Sequence, residues 1–161
     1  MRIILSLALC LLLSACASAP PLPSALPRLQ LPQQLHVERE QNGQRQDWLL
    51  VIQGEQQRLR WSLLDLLGIP QARQVLDGQQ WQADGLLPPN PAARELFAAV
   101  LFALTPASEL QQRYPQAQQH GQQRQLQQRW QVRYEGEDGF RLTLVDGLHY
   151  RVSPLPAEDT P

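Results

Sequence analysis

Residues 33–53 read QQLHVEREQNGQRQDWLLVIQ, and this stretch decides the fold. Leu35 and Val37 alternate with polar residues, Asn42-Gly43 follows, and Asp47-Trp48-Leu49-Leu50-Val51-Ile52 completes the pattern. Asn-Gly accepts the left-handed backbone of a tight hairpin turn, whose twist matches that of its flanking strands. The spacing therefore predicts antiparallel strands over 33–41 and 45–53.

The same texture continues outward. Gly54-Glu55 signals a second turn, and Leu59, Trp61 and Leu63 then alternate with Arg58, Arg60 and Ser62. Gly68-Ile69-Pro70 breaks that strand, Arg73 to Leu76 reads as a short one, and Asp77-Gly78 turns into Gln80 to Asp84. Alternation of this kind is the mark of an antiparallel meander with one solvated face. Three further strands are predicted over Arg129–Glu135, Gly139–Val145 and Leu148–Ser153, joined by Gly-Glu-Asp-Gly and Asp146-Gly147 turns.

Between these halves the period changes. The segment 85–91, Gly-Leu-Leu-Pro-Pro-Asn-Pro, ends the meander. Asn90 suits an N-cap and Pro91 the first helical position, so Ala92 to Leu104 is predicted to be a helix. It is apolar on nearly every side after Arg94 and Glu95, which means burial on several faces or the lining of a cavity. A second, more polar helix is expected from Thr105-Pro106 to about Arg113, stopped by Tyr114-Pro115. Gln116 to Gln128 holds eight Gln and reads as an exposed connection, with a strand starting near Arg124.

The amino terminus reads as an address. Met1-Arg2, an apolar run from Ile3 to Leu13, and Ser14-Ala15 before Cys16 make a signal peptide over 1–15. Its apolar run is shorter than the 18 or so residues that would span a bilayer. Leu13-Ser14-Ala15-Cys16 resembles the bacterial lipobox, which implies that Cys16 carries acyl chains and becomes the first residue of the mature protein. Cys10 does not compete, because bulky Leu9 stands where a small residue is required. Ala17 and Ser18 follow Cys16 with no Asp behind it, a pattern similar to lipoproteins sorted to the outer membrane. Residues 19–32 hold five of the fourteen prolines and are expected to form an extended tether, with one domain over 33–153 and a disordered tail over 154–161.

Composition excludes several functions. The chain has 161 residues, 14 Lys+Arg, 15 Asp+Glu and a net charge of −1, without the basic stripe a nucleic-acid binder needs. Every basic residue is Arg, and Gln occurs 25 times, so the polar surface is largely neutral. With both cysteines at positions 10 and 16, the domain has no disulfide, thiolate nucleophile or Cys-based metal site. His36, His120 and His149 are isolated, and no nucleophile elbow, zinc motif or phosphate loop appears, so no catalytic residue, metal or cofactor is assigned. Glu135, Glu137 and Asp138 lack the ordered spacing of a calcium loop and read as a solvated turn.

What remains is aromatic. Trp48, Trp61, Trp81 and Trp130 all fall on predicted strands, where plain core is their commonest role. A buried apolar helix and a membrane-anchored domain without catalytic motifs shift that balance away from plain core.

The lipobox, the meander with Leu66-Leu67-Gly68, Asp77-Gly78, Leu87-Pro88 and the helix Arg94 to Leu104 together resemble the LolB-like superfamily of bacterial lipoproteins. The closest likeness is to uncharacterised lipoproteins encoded in aryl-polyene biosynthesis clusters. The chain departs from that pattern in the helical part: Ala98 or Ala99 stands where an acidic residue is expected, and Thr105-Pro106 where Trp-Pro is. The resemblance implies an α+β fold, a curved antiparallel sheet forming an incomplete, half-open barrel covered by helices over an acyl-binding cavity. It implies an outer-membrane lipoprotein that accepts lipid or lipid-linked cargo from a periplasmic carrier or exporter. Trp48, Trp61, Trp81 and Trp130 would then line the cavity with Phe97 and Leu101 from the lid. A protruding apolar loop that enters the membrane would be Leu67 and Ile69, or Leu86 and Leu87. The other reading of the same residues is a scaffold lipoprotein that holds a membrane protein partner and has a solid core.

Overall fold

A computed structural model of the chain describes residues 19–155; the expected signal peptide over 1–15, the expected lipidation site Cys16 and residues 156–161 lie outside the described residues. Ten strands form a single antiparallel sheet: β1 (Gln33–Gln41), β2 (Gln44–Glu55), β3 (Arg58–Leu64), β4 (Pro70–Asp77), β5 (Gln80–Ala83), β6 (Ala117–His120), β7 (Gln123–Leu126), β8 (Trp130–Tyr134), β9 (Phe140–Leu144) and β10 (His149–Pro154). Helix α1 spans Pro91–Leu104 and the one-turn helix α2 spans Leu110–Arg113. The strand order is β5-β4-β3-β2-β1-β10-β9-β8-β7-β6, so two meanders join through the pairing of β1 with β10. The edges β5 and β6 do not pair, and the sheet stays open.

The opening hairpin forms as expected around Asn42 and Gly43, at φ 53° and 73°, and its register sets Gln41 opposite Gln44 and Val37 opposite Trp48. Inward positions of each strand supply the core: Leu35 and Val37, Leu50 and Ile52, Leu59, Trp61 and Leu63, Val132, Leu142 and Val152 are all buried. Gly139 closes β8 onto β9 at φ 109°, where an added Cβ would lie 2.0 Å from the Val152 carbonyl oxygen. No other residue fits there.

The glutamine-rich stretch corrects the sequence reading. Residues 117–126 are not an exposed connection but the hairpin β6–β7, whose second strand begins beside Arg124 as expected, with Gln118 opposite Gln125 and His120 opposite Gln123. Its inward residues Ala117, Arg124 and Leu126 are buried, so the segment finishes the sheet on one side. Period-two burial was masked because only Ala117 and Leu126 in it are apolar.

The proline-rich residues 19–32 lie against the domain. Leu22, Leu26, Leu29 and Leu31 pack on the core. The Pro23 carbonyl accepts a hydrogen bond from Gln79 in the β4–β5 turn, while Ser24 donates through N to Arg113 O and through Oγ to Gln112 O, both at 2.9 Å. This pair of contacts measures the curl of the sheet. Nine strand spacings of about 4.8 Å would hold the two edges of a flat sheet roughly 43 Å apart. One dipeptide nevertheless touches the turn beside β5 and the helix that leads into β6. The sheet is therefore rolled, and α1 fills its concave side.

Candidate functional site

The concave trough and the helix across it form the most developed site in the described residues. Asn90 caps α1 by accepting from Ala93 N at 3.0 Å, with Pro91 at the first position. Nine residues from Ala93 to Ala103 are buried, including Phe97, Leu101 and Phe102 at 0% exposure. Burying Phe97 alone is worth about 3–5 kcal/mol by the cost of its truncation to Ala.

Polar clamps hold α1 at both ends. At the start, buried Gln74 on β4 donates to Asn90 O at 3.1 Å and accepts from Arg94 Nε at 2.9 Å. One turn on, Glu95 accepts from Arg129 at 2.7 and 2.8 Å and from the Trp130 indole at 2.7 Å. Burial by itself would raise the Glu95 carboxyl, but the Arg129 guanidinium and the indole N–H outweigh it and hold the group below the usual carboxylate range. At the far end Arg124, 4% exposed, donates to Phe102 O and Thr105 O, each at 2.8 Å, and to Ala103 O at 3.3 Å. Its guanidinium also lies 5.6 Å from the Phe102 ring and 5.3 Å from that of Tyr134. A cation there satisfies carbonyls that the helix leaves open and complements its negative end. Burial lowers the Arg124 pKa and raises that of Tyr134, whose hydroxyl donates to Ala103 O at 2.6 Å.

The aromatic residues separate into groups. Trp61, Trp81 and Phe97 make one cluster, with ring centroids 5.4 to 6.0 Å apart. The indole N–H groups of Trp61 and Trp81 are buried and have no acceptor among the described residues. An unmet donor of this kind costs about 1–3 kcal/mol. Trp130 belongs to a second cluster with Phe102 and, through Phe102, Tyr114. Trp48 stands apart, half-buried beneath Arg39 at 5.3 Å. Trp61, Trp130, Phe97 and Leu101 are each fully buried, so they pack as core while α1 is seated.

The apolar loops sit at one end of the strands. Leu67, Ile69 and Leu86 are 85%, 54% and 104% exposed, with Leu66 at 74% beside them, whereas Leu87 is half-buried. Asp65 rigidifies the first loop by accepting from Leu67 N and Ile69 N, both at 2.9 Å. At the opposite end, an open apolar groove of about 380 Å³ runs beside the end of α1, lined by Leu35, Leu104, Tyr134, Phe140, Val152 and Leu155.

Sequence reasoning missed Gln74, Arg124 and this groove. Arg124 shares the inward parity of Leu126, but a charged residue at an inward position gives no apolar signal to read. Among the described residues no group of three or more His, Cys, Asp or Glu is placed to hold a metal, and no helix is long and apolar enough to cross a membrane. His36 instead pairs with Asp47 at 2.8 Å and His149 with Thr143 at 3.1 Å.

Residues 30–149 match the family model described as "Protein of unknown function (DUF3261)". The chain belongs to the DUF3261 family. The match spans the sheet from the residues before β1 to the first residue of β10, with α1 and its clamps inside it. No curated protein and no solved structure matches the chain.

Proposed function

We propose that this DUF3261 protein is a lipoprotein, anchored through Cys16 at the periplasmic face of the outer membrane, that binds an acyl-bearing molecule beneath α1 and assists its delivery to the membrane. The observation that carries the reading is the Trp61–Trp81–Phe97 cluster, where two buried indole donors lack acceptors on an otherwise apolar wall. A carbonyl or ester oxygen on a bound lipid supplies what those donors lack, and its chains replace α1 against the aromatic wall. Since α1 fills the trough, uptake requires the helix to lift. Leu66, Leu67, Ile69 and Leu86, exposed together at one end of the strands, support contact with a bilayer. An open sheet with a helix on its concave face also supports the LolB-like likeness, in which transfer is hydrophobic exchange from a carrier or exporter with no covalent step.

Native mass spectrometry of the detergent-extracted protein, with uptake of a fluorescent fatty acid, tests this reading. A co-purifying lipid and uptake weakened several-fold by Trp81→Phe are expected. Ligand-free protein that takes up no probe overturns it.

The filled interior favours a second reading, a scaffold lipoprotein that holds a membrane protein partner and transports nothing. It predicts no acyl uptake and recovery of a membrane complex on the tagged protein.

A further inference from the structure

The solvent face of the second meander carries a feature that lipid binding does not use. The registers of five strands place His120, Gln123, Arg133, Arg141 and Arg151 in one row straight across β6 to β10. The next row, one pair along, is Gln118, Gln125, Gln131, Thr143 and His149. Alternation sends both rows outward while Arg124, Val132, Leu142 and Tyr150 point inward. Two shallow depressions, of about 360 and 620 Å³, share Arg141 and Thr143; the first lies on this grid, and the second runs past it to Glu38 and Glu40 on β1, opposite Arg151 and His149, where Arg45 meets Glu38 at 2.9 Å.

The chemistry of the grid is selective. Glu135 pairs with Arg141 at 2.6 Å and Arg151 at 3.3 Å, so one carboxylate serves two guanidinium groups. Arg133, between Arg141 and Gln123, has no ion-pair partner among the described residues. Its neighbours in the second row are amides and a hydroxyl, which both donate and accept. Neither row offers a Trp, Tyr or Phe ring to stack a base or an apolar centre for a protein interface. An anionic bilayer would engage the cations and leave the amides idle.

We propose that this face binds an acidic polysaccharide lying across the strands. Carboxylates of the chain meet Arg133 and its neighbours as charge-assisted forks, and sugar hydroxyls exchange hydrogen bonds with Gln125, Gln131 and Thr143. Four strand spacings of about 4.8 Å give a track roughly 19 Å long, enough for several sugar units in one extended run. The site lies on the convex side, away from the trough, and works with α1 seated.

Titration calorimetry of the detergent-solubilised full chain with polygalacturonate oligomers, neutral dextran and polyglutamate tests the assignment. Polygalacturonate is expected to bind, dextran not to, and polyglutamate at least fivefold more weakly. Arg133→Ser should weaken polygalacturonate at least tenfold. The pair Gln125→Ala and Gln131→Ala should erase the preference over polyglutamate. All these positions are exposed, and unchanged melting curves confirm that each variant is folded. Absence of polygalacturonate binding, equal binding of polyglutamate by the unmodified chain, or indifference to Arg133→Ser overturns the proposal.

Discussion

Arg124 shows how much of this molecule rests on single polar groups inside an apolar trough. Its guanidinium meets three carbonyls at the end of α1, and Gln119 Oε1 at 3.0 Å completes its partners. Arg124→Leu leaves those acceptors unmet and should cost about 3 kcal/mol, read as a lowered urea midpoint. Arg124→Lys should recover only part of the loss, because an ammonium lacks the planar fork. Glu95 gives a pH signature. Its carboxyl is held below the usual range when folded, so its contribution is present above the unfolded pKa, near 4.5. That contribution is lost as pH falls through the lower, folded value. Unfolding at graded pH should show stability declining below about 4.5. Glu95→Gln should flatten that part of the curve; an unchanged slope would remove Glu95 as its source.

At the scale of elements, legibility followed apolar periodicity. The hairpin of β1 and β2 was readable because Leu35, Val37, Leu50 and Ile52 mark the inward face on either side of Asn42-Gly43. Helix α1 was readable from Asn90-Pro91 and the apolar run behind it, and Asn90→Ala should cost about 1 kcal/mol of stability through the lost cap. Strand β7 was legible only as a start near Arg124, and β6 was not readable. Their register is held by backbone pairing and by Arg124, with Gln125 donating to Gln118 at 3.3 Å across the pair. The candidate trough was legible in part. Trp61, Trp81 and Phe97 were named from sequence and do meet, but Trp130 packs with Phe102 and Trp48 lies apart, because strand order decides which rings are neighbours.

At the scale of the whole molecule, three chemically distinct regions share one rolled sheet. The exposed leucines give the clearest test of membrane contact. Leu67→Glu with Leu86→Glu should reduce vesicle flotation several-fold and change the melting temperature little, since both side chains already face solvent. Equal flotation of the variant would argue that these loops do not meet a bilayer. Palmitate labelling of the chain and of Cys16→Ala should show label only on the former, and an unlabelled unmodified chain would sink the anchor.

Local sequence determined the opening hairpin and the capped apolar helix, because turn chemistry, period and capping act within a few residues of one another. Tertiary structure alone decided that the sheet rolls far enough for Pro23-Ser24 to touch both sides, that a glutamine-rich segment is a pair of strands, and that Arg124 lies inside. Those outcomes depend on partners distant in the chain: a buried cation is tolerable only where helix-end carbonyls await it, and no stretch around Arg124 records that they do.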